Sequence, residues 1–422
     1  MAKSEELPAD YTIKAGTKCI ADSAFNNCTN LVSITIPDGV MSIGNHAFFG
    51  CKSLASITIP GGVTSIGYET FRNCTRLKGI TIPDSVTSIG YNAFEGCSSL
   101  ASITIGNSVT SIGNGAFRDC SSLASITISD SVTSIGSYAF YGCTSLTSIT
   151  VEIGNTVYHS AGNCLIETAN ETIVAGCKNS VIPTDGSVTS IGSYAFYGCK
   201  SLKSITIPDS VTRIGNGAFG DCSSLTSITI SDRVMSIGNH AFENCTLLAS
   251  IAIPDSITSI GISVFSGCRN LASITIPSSV TSIGSSAFEG CRSLTSITIP
   301  SSVMSIGSGA FEDCTHLETV TFGKDSELES IGYKTFRNCT SLVSITIPSS
   351  VKSIGEEAFS SCTSLVSITI PSSVTSIGTE AFSWCTCLAK IIFKGTYTQW
   401  TAIKRAASWN EHTGSYTIVF EK

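Results

Sequence analysis

Charge is scarce in this chain. Its 422 residues carry 24 Lys and Arg against 31 Asp and Glu, 13% in all, with a net charge of -7. No basic surface is on offer to nucleic acid or anionic lipid, and neither is expected as a partner. No apolar run reaches membrane-spanning length, and the start Met1 to Asp10 is short and polar, so no signal peptide is expected there. Membrane insertion is therefore not expected. The five His (His46, His159, His240, His316 and His412) are scattered, and the many Ser and Thr belong to a repeat rather than to a strained elbow beside a base. No catalytic residue is assigned and no enzyme is expected. Nineteen Cys contain no C-x-x-C pair, and four convergent ligands are nowhere in sight, so no metal site and no cofactor are assigned.

What fills the chain instead is one block of 23 residues. It stays close to L-x-S-I-T-I-P-x-S-V-T-S-I-G-x-x-A-F-x-x-C-x-x from Leu31 to Phe393. Its closing Cys falls at 28, 51, 74, 97, 120 and 143, then at 199, 222, 245, 268, 291 and 314, then at 339, 362 and 385. A continuous repeat of this kind overrides the prior that would split a chain of this length into separate globular domains.

In the copy from Leu100 to Cys120 the apolar positions are Leu100, Ile103, Ile105, Val109, Ile112, Ala116, Phe117 and Cys120. Leu-x-x-Ile-x-Ile has the two-residue alternation of a strand with one buried face. A Pro usually follows (Pro37, Pro60, Pro83, Pro208, Pro254, Pro277, Pro300, Pro348, Pro371). Lacking an N–H, it ends the strand and starts a turn. Val-x-x-Ile-Gly is expected to bring the chain back inward, with Gly free to take a positive φ, and Ala-Phe-x-x-Cys reads as one helical or 3-10 turn with Phe pointing in. One such coil buries too little to fold alone, so coils must stack and cover one another's apolar edges.

The order Leu-x-x-Ile-x-Ile-Pro, Val-x-x-Ile-Gly, Ala-Phe-x-x-Cys resembles the BspA-like, treponemal-type branch of the leucine-rich repeats, in over a dozen copies across nearly the whole chain. The resemblance implies a mainly β leucine-rich-repeat solenoid. It would be a right-handed curved coil stack with a long parallel sheet and short helical or 3-10 turns. It also implies a cell-surface or secreted protein of a host-associated microbe, used for adhesion, without catalytic residues.

Three stretches depart from the pattern. Residues 1–30 read as a degenerate N-terminal cap coil, with Tyr11 and Ile13 at strand positions. The array of residues 31–393 carries an irregular insertion at about 152–184, where Cys164 to Glu167 and Thr172 to Ala175 form a β-hairpin and Val181-Ile182-Pro183 resumes the strand. Residues 394–422 read as a C-terminal cap, with a helix from Thr398 to Ala407 that sets Trp400 and Ile403 on one side, then Trp409 and a strand from Tyr416 to Phe420.

Fifteen Cys sit once per coil beside Phe and read as a buried thiol ladder. Cys385 and Cys387 should point to opposite sides, and Cys164 and Cys177 on the hairpin are the pair best placed for a bridge. Asp209, Asp232 and Asp255 recur in successive coils, where turn formation competes with a Ca²⁺ ladder.

The outward strand residues are almost uniformly Ser and Thr, whereas the positions after Ile-Gly and after Phe vary: Asn45-His46 and Phe49, Tyr68-Glu69 and Arg72, Tyr91-Asn92 and Glu95, Tyr333-Lys334 and Arg337. Tyr138, Tyr141, Tyr194 and Tyr197 form the densest group there, expected as an exposed cluster on two coils about 10 Å apart, across one irregular coil. With Tyr68, Tyr91 and Arg72 they make up the candidate binding residues, since Tyr and Arg dominate interfaces; unconstrained drift of surface positions is the competing reading. The chain thus reads as a non-enzymatic adhesion module for a host extracellular protein or glycan. The alternative is a rigid spacer in a larger surface protein.

Overall fold

The computed structural model describes residues 7–421 and divides between Ile205 and Thr206 into two compact units. Residues 1–6 of the polar start and Lys422 of the C-terminal stretch lie outside the described residues. Each unit is a solenoid of parallel-strand turns with almost no helix.

In the first unit the sheet column is built from Ser33–Thr35, Ser56–Ile57, Gly79–Thr81, Ser102–Thr104, Ser125–Ile128 and Ser148–Val151. Partners sit one repeat apart in parallel register, as in Ser125 against Ser148 and Ile126 against Ile149. Side chains alternate as the pattern requires: in Ser125–Ile128 the Ser and Thr are exposed and both Ile are buried. A second column stacks the two-residue strands Ser65–Ile66, Ser88–Ile89, Ser111–Ile112 and Ser134–Ile135 in the same register. The second unit repeats both columns, its longest parallel run extending from Ser296–Ile299 to Thr417–Phe420.

The third side of each coil is not a helix. Its backbone N–H groups alternate between two acceptors. Ala47, Phe49 and Cys51 donate three residues back, to Gly44, His46 and Phe48, while His46, Phe48 and Gly50 donate to Tyr68, Thr70 and Arg72 of the next coil. Half of the turn's hydrogen bonds thus hold the coil's shape and half tie it to its neighbour, which satisfies backbone donors that a lone helical turn would leave open. The only helix among the described residues is Tyr397–Ala402.

The core is a set of columns, one residue of each kind per coil. Phe25, Phe48, Phe71, Phe94, Phe117 and Phe140 stack nearly parallel with ring centroids 5.3–5.8 Å apart. Each pair adds about 0.5–1.5 kcal/mol beyond its burial. Beside them the thiols of successive regular coils donate to a carbonyl of the preceding coil, Cys51 to Phe25 at 3.0 Å and Cys74 to Phe48 at 3.1 Å. Cys164 and Cys177 form no bridge, their thiols facing the Gly162 and Asn163 carbonyls; Cys385 is buried and Cys387 exposed.

The glycine of Ile-Gly serves a purpose other than positive φ. Gly44, Gly90 and Gly113 keep ordinary dihedrals. A Cβ on Gly113 would stand 2.6 Å from the Gly90 carbonyl carbon, and one on Gly90 2.7 Å from that of Gly67. Successive coils touch backbone to backbone here, and only the absence of a side chain lets them.

The irregular coil holds three strands, not two: Tyr158–Ala161, Cys164–Glu167 and Thr172–Ala175 run antiparallel in turn. The last of them joins the second column, Thr172 and Ile173 pairing in parallel with Ser190 and Ile191. Val181-Ile182-Pro183 forms no strand: Ile182 is buried and Val181 exposed, and the Val181 N–H donates to the Gly162 carbonyl at 2.8 Å instead of joining a ladder. At the other end the helix is shorter than its apolar spacing suggests. It stops at Ala402 because Lys404–Arg405 leaves it to pair with Ser376–Ile377. Trp400 and Ile403 are both buried, and the last strand is Thr417–Phe420.

Candidate partner-binding ridge

The variable positions of the repeat line one ridge of each unit, at the third side of the coil. Their freedom is bounded by backbone shape. Two residues per turn take positive φ: the one two before Phe (His46 55°, Glu69 51°, Asn92 51°, Tyr138 59°) and the one before Cys (Asn27 57°, Asn73 61°, Asp119 57°). The second set is largely Asn, Asp or Gly, the residues that tolerate this region. Asn at the first ridge position has a local task as well, its side-chain oxygen accepting from the next coil, as Asn45 does from the Tyr68 N–H at 2.8 Å and Asn114 from Ser137 at 2.9 Å. Tyr at the ridge positions does neither job. A tyrosine in left-handed backbone, as at Tyr138 and Tyr194, carries strain on the order of 1–2 kcal/mol that a Gly or Asn would avoid.

Of the seven candidate residues, three gather near the start of the first unit. Tyr68 and Tyr91 stack with centroids 5.3 Å apart and 6° between planes, and His46 meets Tyr68 edge-on at 4.9 Å. Arg72 lies beneath, bound to Glu69 at 2.7 Å and to Glu95 at 3.1 Å, with its guanidinium 5.7 Å from the centre of the Phe49 ring. Glu69 is buried, and its hydrogen bond to Tyr68 pushes that phenol up from its ordinary value. Arg72 is thus committed to two carboxylates and clamps neighbouring coils together; the rings beside it are what the surface offers.

The other four form a second group. Tyr138 and Tyr194 lie 4.5 Å apart, Tyr141 and Tyr197 5.3 Å, and Tyr194 and Tyr197 meet edge-on at 5.6 Å. These are the separations of adjacent coils, and the expected 10 Å gap does not exist. The reason lies in the irregular coil, which runs from Ala175 through Gly176 straight to Cys177 and has no ridge turn of its own. Gly176 donates to the Ala195 carbonyl at 2.8 Å, the bond that Phe makes to Ala in a regular coil. With no turn between them, the two tyrosine-bearing turns close on each other. Mutual packing also leaves the group less open than expected: Tyr138 is 36% exposed, and the other three are half-buried. Arg118 adds a cation over the Tyr141 ring at 4.8 Å.

His46, Phe49 and Arg118 belong to these groups; His46 and Phe49 stood among the variable positions but not among the candidate binding residues, and Arg118 was not named, although offsets of 22 residues from His46 to Tyr68 and 23 from Phe49 to Arg72 and from Arg118 to Tyr141 put them on facing turns. The ridge of the second unit has a counterpart of the Arg72 clamp, Arg337 binding Glu312 at 2.8 Å and Glu357 at 3.0 Å beside Tyr333 and Lys334. The repeated string Gly-Tyr-x-Thr-Phe-Arg-Asn-Cys at 67–74 and 332–339 was the signal for it. Asp209 accepts from the Ser231 hydroxyl at 2.6 Å, a turn contact between coils. No group of His, Cys, Asp and Glu able to hold a metal, and no helix long and apolar enough to cross a membrane, occurs among the described residues.

A family model described as BspA type leucine rich repeat region (6 copies) matches residues 9–121, 64–185, 167–295 and 281–407. Among solved structures, a leucine-rich repeat protein from Bacteroides ovatus is 28% identical over 97% of this chain and 92% of its own, with a TM-score of 0.55. The pneumococcal vaccine antigen PcpA shares the fold at 20% identity and a TM-score of 0.52, over 100% of this chain and 91% of that one. A leucine rich cell surface protein from Faecalibacterium prausnitzii is 27% identical over 94% and 90%, at a TM-score of 0.35. No curated protein matches significantly.

Proposed function

The chain belongs to the BspA-type leucine-rich repeat family, and from that premise we propose that it is the non-enzymatic interaction module of a bacterial cell-surface or secreted protein, holding a host extracellular protein on the ridge of its first unit. Its family and fold are those of repeat proteins that generally lack catalysis and bind proteins. One observation carries the choice of surface: the rings of this unit's ridge gather into two contacting groups, His46, Tyr68 and Tyr91, then Tyr138, Tyr141, Tyr194 and Tyr197. The sheet face offers only repeated Ser and Thr. Rigid aromatic side chains give large contact area for few frozen rotors, and they dominate binding energy where they cluster.

The test screens immobilised extracellular-matrix proteins and a glycan array with the parent chain and with Tyr138, Tyr141, Tyr194 and Tyr197 all changed to Ser. A partner held by the ridge should bind the variant more weakly by about 2 kcal/mol or more, with little change in melting temperature. Equal affinity, with loss instead on changing Thr104 and Thr127 to Lys, would move the site to the sheet face. No binding to either array by the isolated chain, where a longer protein containing it binds, would favour a spacer.

A further inference from the structure

The ridge of the second unit ends in an exposed, stacked pair of rings flanked by carboxylates, and we infer that this pair is a docking site for an arginine-bearing segment of a protein partner. It belongs to the other unit and does not rest on the tyrosine groups of the first.

In every other regular coil the residue before the ridge Cys is Asn, Asp, Gly or Ser, as its left-handed backbone favours. In the last one it is Trp384, at a φ of 63°. So bulky a side chain is strained there, and it gains little burial in return, the residue being 52% exposed. Strain of this kind gathers at functional sites. His412, also left-handed at 57°, lays its imidazole against the indole with centroids 4.3 Å apart and 29° between planes. One coil earlier the same place holds Ser361, too short to cover the other face. Trp400 is buried and Trp409 half-buried, so Trp384 is the exposed one of the three Trp.

Elsewhere on the ridge a ring, a carboxylate and a cation occur together. Arg72 lies over Phe49 at 5.7 Å between Glu69 and Glu95, Arg118 over Tyr141 at 4.8 Å beside Asp119, and Lys334 over Tyr333 at 4.7 Å beside Glu357. At Trp384 the chain supplies the ring and the carboxylates but no cation of its own. Glu380 opens the same turn, its carbonyl taking the Ser383 N–H at 3.1 Å, and the Glu411 carbonyl takes the Trp384 N–H at 3.0 Å. Both Glu are exposed, and neither is in an ion pair among the described residues. The cap's Arg405 is held over Trp400 and Trp409 instead.

A partner that brings the cation completes the arrangement. Arginine suits it best, because a planar guanidinium stacks on an indole while its fork of donors reaches a carboxylate. An acidic segment meets two like charges, and a neutral one draws nothing from them.

The experiment measures binding of a fluorescein-labelled tetra-arginine peptide to the full chain by fluorescence anisotropy, with tetra-citrulline, its uncharged counterpart, as control. Tetra-arginine should bind and should shield the exposed Trp384 from acrylamide quenching, and tetra-citrulline should do neither. Trp384→Asn installs the residue that other coils carry, so the melting temperature should hold or rise while tetra-arginine affinity falls about fivefold. Because this variant keeps the chain's net charge of -7, general attraction of a basic peptide survives in it and is subtracted. Glu380→Gln with Glu411→Gln should also cost about fivefold, and the loss should shrink in 0.5 M salt. Equal affinity for tetra-arginine in the parent and either variant, or equal binding of tetra-citrulline by the parent, overturns the site.

Discussion

From Leu54 to Cys143 every coil lays its Phe on the Phe before it, and from Thr144 to Cys199 the same alphabet of residues fails to do so. In the first stretch strand, second column and ridge turn advance together by 23 residues, and every second N–H of the ridge turn finds its acceptor one coil away. In the second, the irregular coil lays three antiparallel strands and omits the ridge turn, so the turns that carry Tyr138 and Tyr194 become neighbours. A solenoid tolerates this because its stability is a sum of nearest-neighbour terms. What one interface loses, the others do not feel. The loss is local, and it lies under the tyrosines.

The largest expected effect concerns the thiols that the regular stacking seals. Burial pushes the Cys51, Cys97 and Cys143 thiols up to about 12 from an ordinary 9.0. The folded chain keeps protons there that the unfolded chain releases above pH 9. Stability should therefore be intact below pH 9 and fall between 9 and 12, each such thiol contributing up to about 1.4 kcal/mol per pH unit. Urea unfolding at pH 8, 9 and 10 measures it, and Cys97→Ala should lessen the slope. A slope unchanged in that variant would mean the ladder is not sealed.

Next comes the contrast between Phe94, stacked on both sides, and Phe140, whose ring is capped by Phe117 and is partly open. Phe94→Ala should cost about 3–5 kcal/mol, and Phe140→Ala about 1 kcal/mol less, one ring pair being spared. Equal losses would erase the difference between the two stretches. Smaller again is the backbone contact. Gly113→Ala should cost about 1–3 kcal/mol by forcing coils apart, whereas Gly61→Ala, with open space at its Cβ, should stay within about 0.5 kcal/mol. The finest test is kinetic: a thiol reagent should reach Cys199, which is half-buried, well before Cys51, Cys74, Cys97 and Cys120, which should wait for unfolding. Simultaneous modification of all five would mean that the irregular stretch is no more open than the rest.

How much of this was legible depended on whether a contact repeats. The alternation of Ser125-Ile126-Thr127-Ile128 and the spacing of the Phe and Cys columns name their own partners, because a residue 23 positions away has to lie beside its equivalent. The Arg72 clamp was legible only in part. Its two Glu stand at the offsets of one helical turn and one coil, but nothing in the string separates a surface Arg from one held by two carboxylates. The Ile-Gly glycines were located and their purpose mistaken, since positive φ and close backbone approach both demand Gly and only coordinates distinguish them.

By itself the sequence determined the coil, its inward and outward faces, and the stacking that must follow, because a 23-residue period with eight apolar positions has no other way to bury them. Tertiary structure alone decided where that period breaks in space. Counting residues puts Tyr138 and Tyr194 two coils apart. Gly176 in place of a Phe, and a third antiparallel strand paired into the second column, bring them to 4.5 Å. An insertion's length does not say which side of the coil it spends its residues on, and that is settled only when each of its backbone groups has found a partner.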